Sequence, residues 1–269
     1  MPPLPQLLRA IRHPFGDKPE APAEPLCPVC KSRCPPLDSV DFNKNCEEAR
    51  GLKLPTSGER VEYRLCDACG FCFAPQFARW SFRDFEERIY NDGYEAVDPD
   101  YKRIRPEANA SLLEQLFGAA KPKHLDYGGG SGVLSAALRD RGWDSRTYDP
   151  FVDRELRVRE LGRFDLVTAF EVFEHVPDIE VLFADLQALV EPDGLVVFST
   201  LLSDGEIVRG RPLRWWYAAP RNGHISLFSG QSLRLCLNQR GFNLASANAN
   251  LHLAYRSVPA WARHLLPAA

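Results

Sequence analysis

The sequence carries no excess of basic charge: 33 Lys and Arg stand against 36 Asp and Glu, a formal net charge of −3. Neutralising phosphates supplies most of a nucleic-acid binder's affinity, so a polynucleotide partner is disfavoured. No apolar run approaches the roughly 18 residues that a membrane-spanning helix needs. The start, Met1-Pro2-Pro3-Leu4-Pro5, lacks the charged-then-apolar order of a secretory signal, so a cytoplasmic location is expected. Internal repeats are also missing. In a reducing compartment the eight cysteines point to metal binding rather than disulfides. What is present is an apolar share of 45%, enough for a substantial core.

Four segments follow from composition and periodicity. Residues 1–25 hold Pro14, Pro19, Pro22 and Pro25 and are expected to form a flexible tail. Residues 26–79 hold seven of the eight cysteines with little helical periodicity, the mark of a small separate module. Over 80–120, Phe82, Phe85, Ile89 and Tyr90, then Leu112, Leu113, Leu116 and Phe117, recur at helical spacing and predict a helical linker. From 121 to 269 strands and helices alternate. Strands are expected at 124–127, 145–149, 164–170 and 195–199, the last fed by a Pro192-Asp193-Gly194 turn. Helices are expected near 132–141, at 179–190 with Asp178 as N-cap, and past 231 up to Gly241. This alternation predicts an α/β domain with a doubly wound, mostly parallel sheet.

Cys27-Pro28-Val29-Cys30 and Cys66-Asp67-Ala68-Cys69-Gly70 are two C-x-x-C knuckles. Two intervening residues let both thiolates reach one ion. Four thiolates around one ion favour Zn²⁺ and leave no open position for catalysis, so a structural zinc site at Cys27, Cys30, Cys66 and Cys69 is expected. Cys34, Cys46 and Cys72 are spare, and Cys34 or Cys72 is an alternative ligand. An iron–sulfur cluster is the minor alternative.

Asp126-Tyr127-Gly128-Gly129-Gly130-Ser131-Gly132 closes the first strand and opens a helix, at the sheet edge where α/β folds bind ligands. Val133 occupies the position where a dinucleotide fingerprint needs Gly or Ala. No lysine sits in the loop. Asp149, 23 residues beyond Asp126, ends the second strand and is placed to accept two ribose hydroxyls.

Glycines at 128, 130 and 132 behind Asp126, then Asp149, then 164–167 leading into Glu171–Asp178, then Leu189–Gly194, resemble the ordered motifs of small-molecule class I methyltransferases across about 121–245. The resemblance implies a Rossmann-like fold and S-adenosylmethionine as methyl donor. It implies cofactor contacts at Asp126, Gly128, Gly130, Gly132 and Asp149, with Phe170 at the end of the third strand. Only about fifteen residues separate Asp149 from Asp165, so the third strand of the family and its adenine-contacting acid are short or missing, and Phe151 is a candidate substitute that stacks on adenine. The run from Tyr63 through Pro75, with Tyr90 and Tyr94, resembles zinc-bearing N-terminal regions of bacterial methyltransferases, including sugar C-methyltransferases. That implies a small four-cysteine, zinc-ribbon-like module ahead of the catalytic domain.

For the chemistry, Glu171, Glu174 and His175 follow the third strand at the cofactor edge; as one helical turn they would share a face. Three readings stay open. His175 or His224 is a general base oriented by a glutamate; or Glu171, Glu174, His175 and His224 hold a divalent metal, as similar E-x-x-E-H segments do in ubiquinone-pathway and small-RNA O-methyltransferases; or Glu174 and His175 brace the loop. Trp215 to Phe228 is expected to be an acceptor lid, with Arg221 available to an anionic group. His224 stands where sugar C-methyltransferases carry a histidine in a resembling H-x-x-x-F segment. The expected acceptor is a small molecule, a glycan or a lipid-linked compound. The competing functions are an rRNA or tRNA methyltransferase and a non-catalytic zinc-dependent interaction protein with a relic fold.

Overall fold

The computed structural model describes residues 25–265, so the tail expected at 1–25 lies, but for its last residue, outside the described residues. Three short antiparallel strands come first among the named strands and helices of the described residues: β1 (Pro36–Asp41), β2 (Arg60–Leu65) and β3 (Cys72–Phe73). Alternation along β2 (Arg60 out, Val61, Tyr63 and Leu65 in) buries one face against the aromatic side chains Phe77, Phe85 and Tyr217. Three helices follow. Ser81 caps α1 (Phe82–Arg88) reciprocally with Asp84, and α2 (Tyr94–Val97) and α3 (Ile104–Phe117) complete the expected helical stretch.

The second sheet is built from β4 (His124–Tyr127), β5 (Ser145–Tyr148), β6 (Phe164–Phe170) and β7 (Val190–Ser199), with α4 (Val133–Asp140) after β4 and α5 (Ile179–Leu189) after β6. Then come β8 (Ser226–Leu227), α6 (Gly230–Asn238), β9 (Asn243–Ser246) and β10 (Leu251–Tyr255). The strand order is β5-β4-β6-β7-β10-β9. The first three pairings are parallel, and β10 runs antiparallel to both neighbours. This is the expected α/β architecture. Beyond β5 the described residues supply no further strand; 3-10 turn Val158–Glu160 occupies the chain where one would lie. Central β6 is apolar on both faces, and Phe164, Leu166, Val167 and Ala169 are fully buried. Each of the larger ones contributes about 1.5–3 kcal/mol of burial energy.

Two local differences have physical causes. Pro192-Asp193-Gly194 does not precede a strand but loops out of one: Phe164 pairs with Val190 and Leu166 with Leu195, so 191–194 bulge out of the ladder with Pro192 and Asp193 exposed. The cysteine region is not bounded at residue 79 either. Its sheet has the order β1-β2-β3-β8, with Cys72 opposite Leu227 and Phe73 opposite Ser226, so a strand from far down the chain completes it.

Candidate functional site

The glycine loop leaves β4 with Gly128, Gly130 and Gly132 all at positive φ (73°, 54° and 78°), where a side chain is strained. A Cβ on Gly128 would approach Cγ2 of Val172 to 2.6 Å, whereas one on Gly130 would meet nothing within 4 Å. The loop is therefore packed on one side and bare on the other, the form of a ligand cradle. Asp149 stands beside it: its Oδ2 accepts from Gly130 N at 2.9 Å and its Oδ1 from Phe151 N at 2.8 Å. Asp126 lies beneath, buried, and accepts from Thr168 Oγ1 at 2.8 Å. Burial pushes its carboxyl up to about 7. Thr168 in turn meets buried His124 at 2.9 Å, and His124 meets Ser145 at 2.8 Å, so a chain of four polar side chains runs under the loop. Sequence periodicity does not reveal that chain, because its members lie on three strands.

Phe151 faces an aromatic cluster, edge-on to Phe82, Phe85 and Tyr90 at 5.0, 6.1 and 5.2 Å between ring centres. Phe170, at the end of β6, is partly buried and packs on the core that includes Leu166 and Val197.

The Glu171–His175 segment is not one turn of α-helix. Glu171 follows β6 directly with φ at 52°, a left-handed conformation rare outside glycine, and a 3-10 turn comes next at Phe173–His175. The kink parts the two glutamates. Glu171 accepts from Ser199 Oγ at 2.7 Å and lies 3.6 Å from Arg105, which also pairs with Asp98. Glu174 turns inward and is fully buried. The Tyr217 and Thr200 hydroxyls approach its carboxyl, but neither carboxylate oxygen nor either hydroxyl makes a hydrogen bond of good geometry. Burial first, and the charge of Glu171 next, hold the Glu174 carboxyl well above the ordinary range.

His224 and His175 complete the cluster: one potential ligand atom from each, with Glu174, falls within 4.8 Å of the others. Glu171 is outside this set, so the structure brings together three of the four expected catalytic residues. The two imidazole ring centres are 4.8 Å apart. Burial above all, then the charge of Arg105, lowers the His175 pKa to about 3, and burial holds His224 well below its usual value. Both imidazoles are neutral at physiological pH. Nδ1 of His224 lies 2.9 Å from the Tyr217 carbonyl and must donate to it, which leaves Nε2 with the lone pair. Nδ1 of His175 meets the Tyr90 hydroxyl at 3.2 Å.

Several residues were not foreseen from sequence. Cys46 brings its thiol to 3.6 Å from His224 Nδ1, and Thr200 follows the last parallel strand at the cofactor edge, a position that could have flagged it. Arg221 is corrected. It points inward and donates to the Ile89 carbonyl and Asn91 Oδ1, so it is not available to an acceptor. The run 215–228 is not a loose lid either, since Trp215, Tyr217 and every residue from Ala218 to Phe228 are buried.

The four knuckle cysteines converge on one point. Sγ of Cys27 lies 3.5 Å from that of Cys69, Sγ of Cys30 lies 3.4 Å from that of Cys66, and all four fall within 4.8 Å. Tetrahedral Zn²⁺ with bonds of about 2.3 Å would hold its sulfurs about 3.8 Å apart, so the donors fit. Cys34 packs against Cys27 and Cys66, while Cys72 belongs to a different core cluster.

Against known proteins, the methyltransferase-domain family matches residues 101–247, more than half of the chain. The chain therefore belongs to this family, the S-adenosylmethionine-dependent methyltransferases of class I. Over 123 residues it is 31% identical to the ubiquinone biosynthesis O-methyltransferase of Acinetobacter baylyi, covering 37% of this chain and 52% of that protein. The same-named protein of Salmonella paratyphi A is 30% identical over 127 residues, covering 39% and 52%. The chain thus spans about half the length of the curated relatives it matches. Among solved structures, an O-methyltransferase family protein from Burkholderia thailandensis superposes with a TM-score of 0.48 at 14% identity, covering 65% of this chain and 63% of that one. No helix among the described residues is long and apolar enough to cross a membrane.

Proposed function

We propose that this chain transfers a methyl group from S-adenosylmethionine to a hydroxyl on a small-molecule, glycan or lipid-linked acceptor, with His224 as general base. The observation that carries this reading is the buried, unpartnered Glu174 carboxyl set against two neutral imidazoles. Folded proteins rarely leave such groups orphaned, so their partner is a ligand that arrives at this place. The hydroxyl preference is supported by the relatives' O-methyltransferase names.

When bound, S-adenosylmethionine supplies an electrophilic methyl group on a sulfonium. The bare face at Gly130 would let the cofactor lie against the backbone, and Asp149 beside it would hold the ribose hydroxyls. Nε2 of His224 takes the acceptor proton as attack proceeds. Glu174, whose carboxyl burial holds well above the ordinary range, stands beside the imidazolium that forms and stabilises it through its carbonyl dipole. His175, held by Tyr90, stands with its Nε2 3.8 Å from the Glu174 carboxyl. Glu171, anchored by Ser199 and Arg105, borders the entrance.

A second reading has its own support: Glu174, His175 and His224 offer one carboxylate and two imidazoles to a divalent ion, a fitting donor set. In it the ion would lower the acceptor's pKa in place of the base. The zinc module is part of the proposal on the strength of the four converging thiols. The test is mass-spectrometric screening of hydroxylated acceptors for a gain of one methyl, with His224→Gln in parallel and with metal stripped by chelator from the Glu174 site. Transfer that survives in His224→Gln refutes the base role; transfer that needs an added divalent ion selects the second reading.

A further inference from the structure

We infer that the N-terminal cysteine module is a working part of the acceptor site, in which Tyr63 and Lys44 are positioning residues that fix the orientation and tautomer of His224. The inference deepens the base assignment above and rests on it.

Many of the bonds that hold segment 213–228 come from the N-terminal module, beside those from Ile89, Asn91, Tyr94 and Val97 of the helical stretch. Lys44 Nζ donates to the carbonyls of Trp215 at 2.5 Å and Ala218 at 2.6 Å. Its own carbonyl accepts from Arg221 N at 3.1 Å. Cys46 N donates to Asn222 Oδ1 at 2.9 Å, Leu213 N donates to Asp38 at 2.8 Å, and Ala74 N donates to Ile225 O at 2.9 Å. Two of these ties act on the histidine itself. Tyr63, fully buried on β2, donates its hydroxyl to the carbonyl of His224 at 2.6 Å. Lys44 grips the two carbonyls that bracket Tyr217, and the Tyr217 carbonyl is the acceptor that obliges Nδ1 of His224 to carry the proton.

The chemistry of the grips suits that purpose. An ammonium group carries three donors and no acceptor, so Lys44 can hold two carbonyls at once. Half-burying it costs desolvation, which a chain kept merely for packing would avoid by using an apolar residue. Tyr63 lies three residues before Cys66, so the thiol cluster anchors the strand that presents it. From the other domain His224's neighbour Ile225 donates to the Glu174 carbonyl at 2.8 Å. The base thus sits at a seam, with its partner carboxyl presented by the sheet domain and its own backbone and tautomer fixed by the cysteine module. On this account, acceptor-side geometry belongs to the module and cofactor binding to the sheet.

The experiment uses full-length protein labelled with ¹⁵N-histidine, whose ring signals report tautomer and environment. His224→Gln identifies the His224 signals. The variants are Tyr63→Phe, which deletes one oxygen, and Lys44→Met. Wild type should show His224 as the Nδ1-protonated tautomer alone. Tyr63→Phe should shift the His224 signals, and Lys44→Met should give a mixture of tautomers. S-adenosylhomocysteine affinity, measured by calorimetry, should stay within about twofold in both, since the glycine loop is not touched. Unchanged His224 signals in Tyr63→Phe overturn the inference, and that variant decides alone if Lys44→Met does not fold. An equal loss of S-adenosylhomocysteine binding overturns it too, because the effect would then be general. If instead His224→Gln retains methyl transfer in the acceptor screen, the base assignment fails while the clamp on His224 stands.

Discussion

Replacing Glu174 by leucine should stabilise the ligand-free protein while abolishing methyl transfer. The side chain is fully buried, neither of its oxygens makes a hydrogen bond of good geometry, and the two imidazoles beside it are neutral. An unsatisfied buried polar group costs about 1–3 kcal/mol, and leucine has nearly the same volume, so the variant should gain about that amount. For a chain of this size that corresponds to a rise in Tm of roughly 2–4 °C per kcal/mol. The gain should depend on pH. The folded-state pKa of Glu174 is raised, so the wild-type protein keeps the contribution of this group at low pH and loses it as pH climbs from the unfolded value of 4.5 toward the folded one. The leucine variant should therefore pull ahead increasingly above about pH 4.5. Differential scanning calorimetry at several pH values, with chelator present, reads this directly. A variant that melts lower than wild type at neutral pH would show that the carboxyl is already satisfied in the resting protein, and would refute the argument.

Other consequences can be checked alongside. Asp149→Ala should weaken S-adenosylhomocysteine binding by about 1.5–3 kcal/mol through the lost ribose contacts, and an unchanged calorimetric affinity would move the ribose elsewhere. Cofactor affinity should rise with pH and level off near 7, where the buried Asp126 ionises: a cationic ligand favours the carboxylate, so it is bound more weakly while a proton must first leave. A flat profile between pH 5.5 and 8, or one lost only in Asp149→Ala, would contradict this (window of roughly one and a half units below the pKa). Cys66→Ser should lower a single melting transition for the whole chain and remove one equivalent of zinc by elemental analysis, because β8 of the sheet domain pairs with β3. Two separated transitions would mean that the parts unfold independently.

Much of the sheet domain was legible because its signals are local. The apolar runs at 164–170 and 195–199, the glycines behind Asp126 and the Asp178 cap each declare themselves within a few residues, and α5 does start at Ile179 with Asp178 accepting from Glu180 N. Long-range pairing is different. No pattern around Ser226 announces that it will sit opposite Phe73, so the cysteine region reads as separate in sequence and is continuous in space. Helical spacing also misleads at Glu171, where a left-handed residue breaks the turn and sends two glutamates in different directions. The aromatic run at 215–217 reads as a surface lid because aromatics and polar residues mix there. What decides otherwise is Lys44, about 170 residues away, whose ammonium supplies the donors that let this backbone be buried.

The most direct measurement is a crystal structure with S-adenosylhomocysteine. The ligand should lie along Gly128–Gly132 with both ribose hydroxyls on Asp149 and its sulfur facing the cluster of Glu174, His175 and His224. A ligand seated elsewhere, or a sulfur turned away from that cluster, would contradict the assignment of the reaction to these residues.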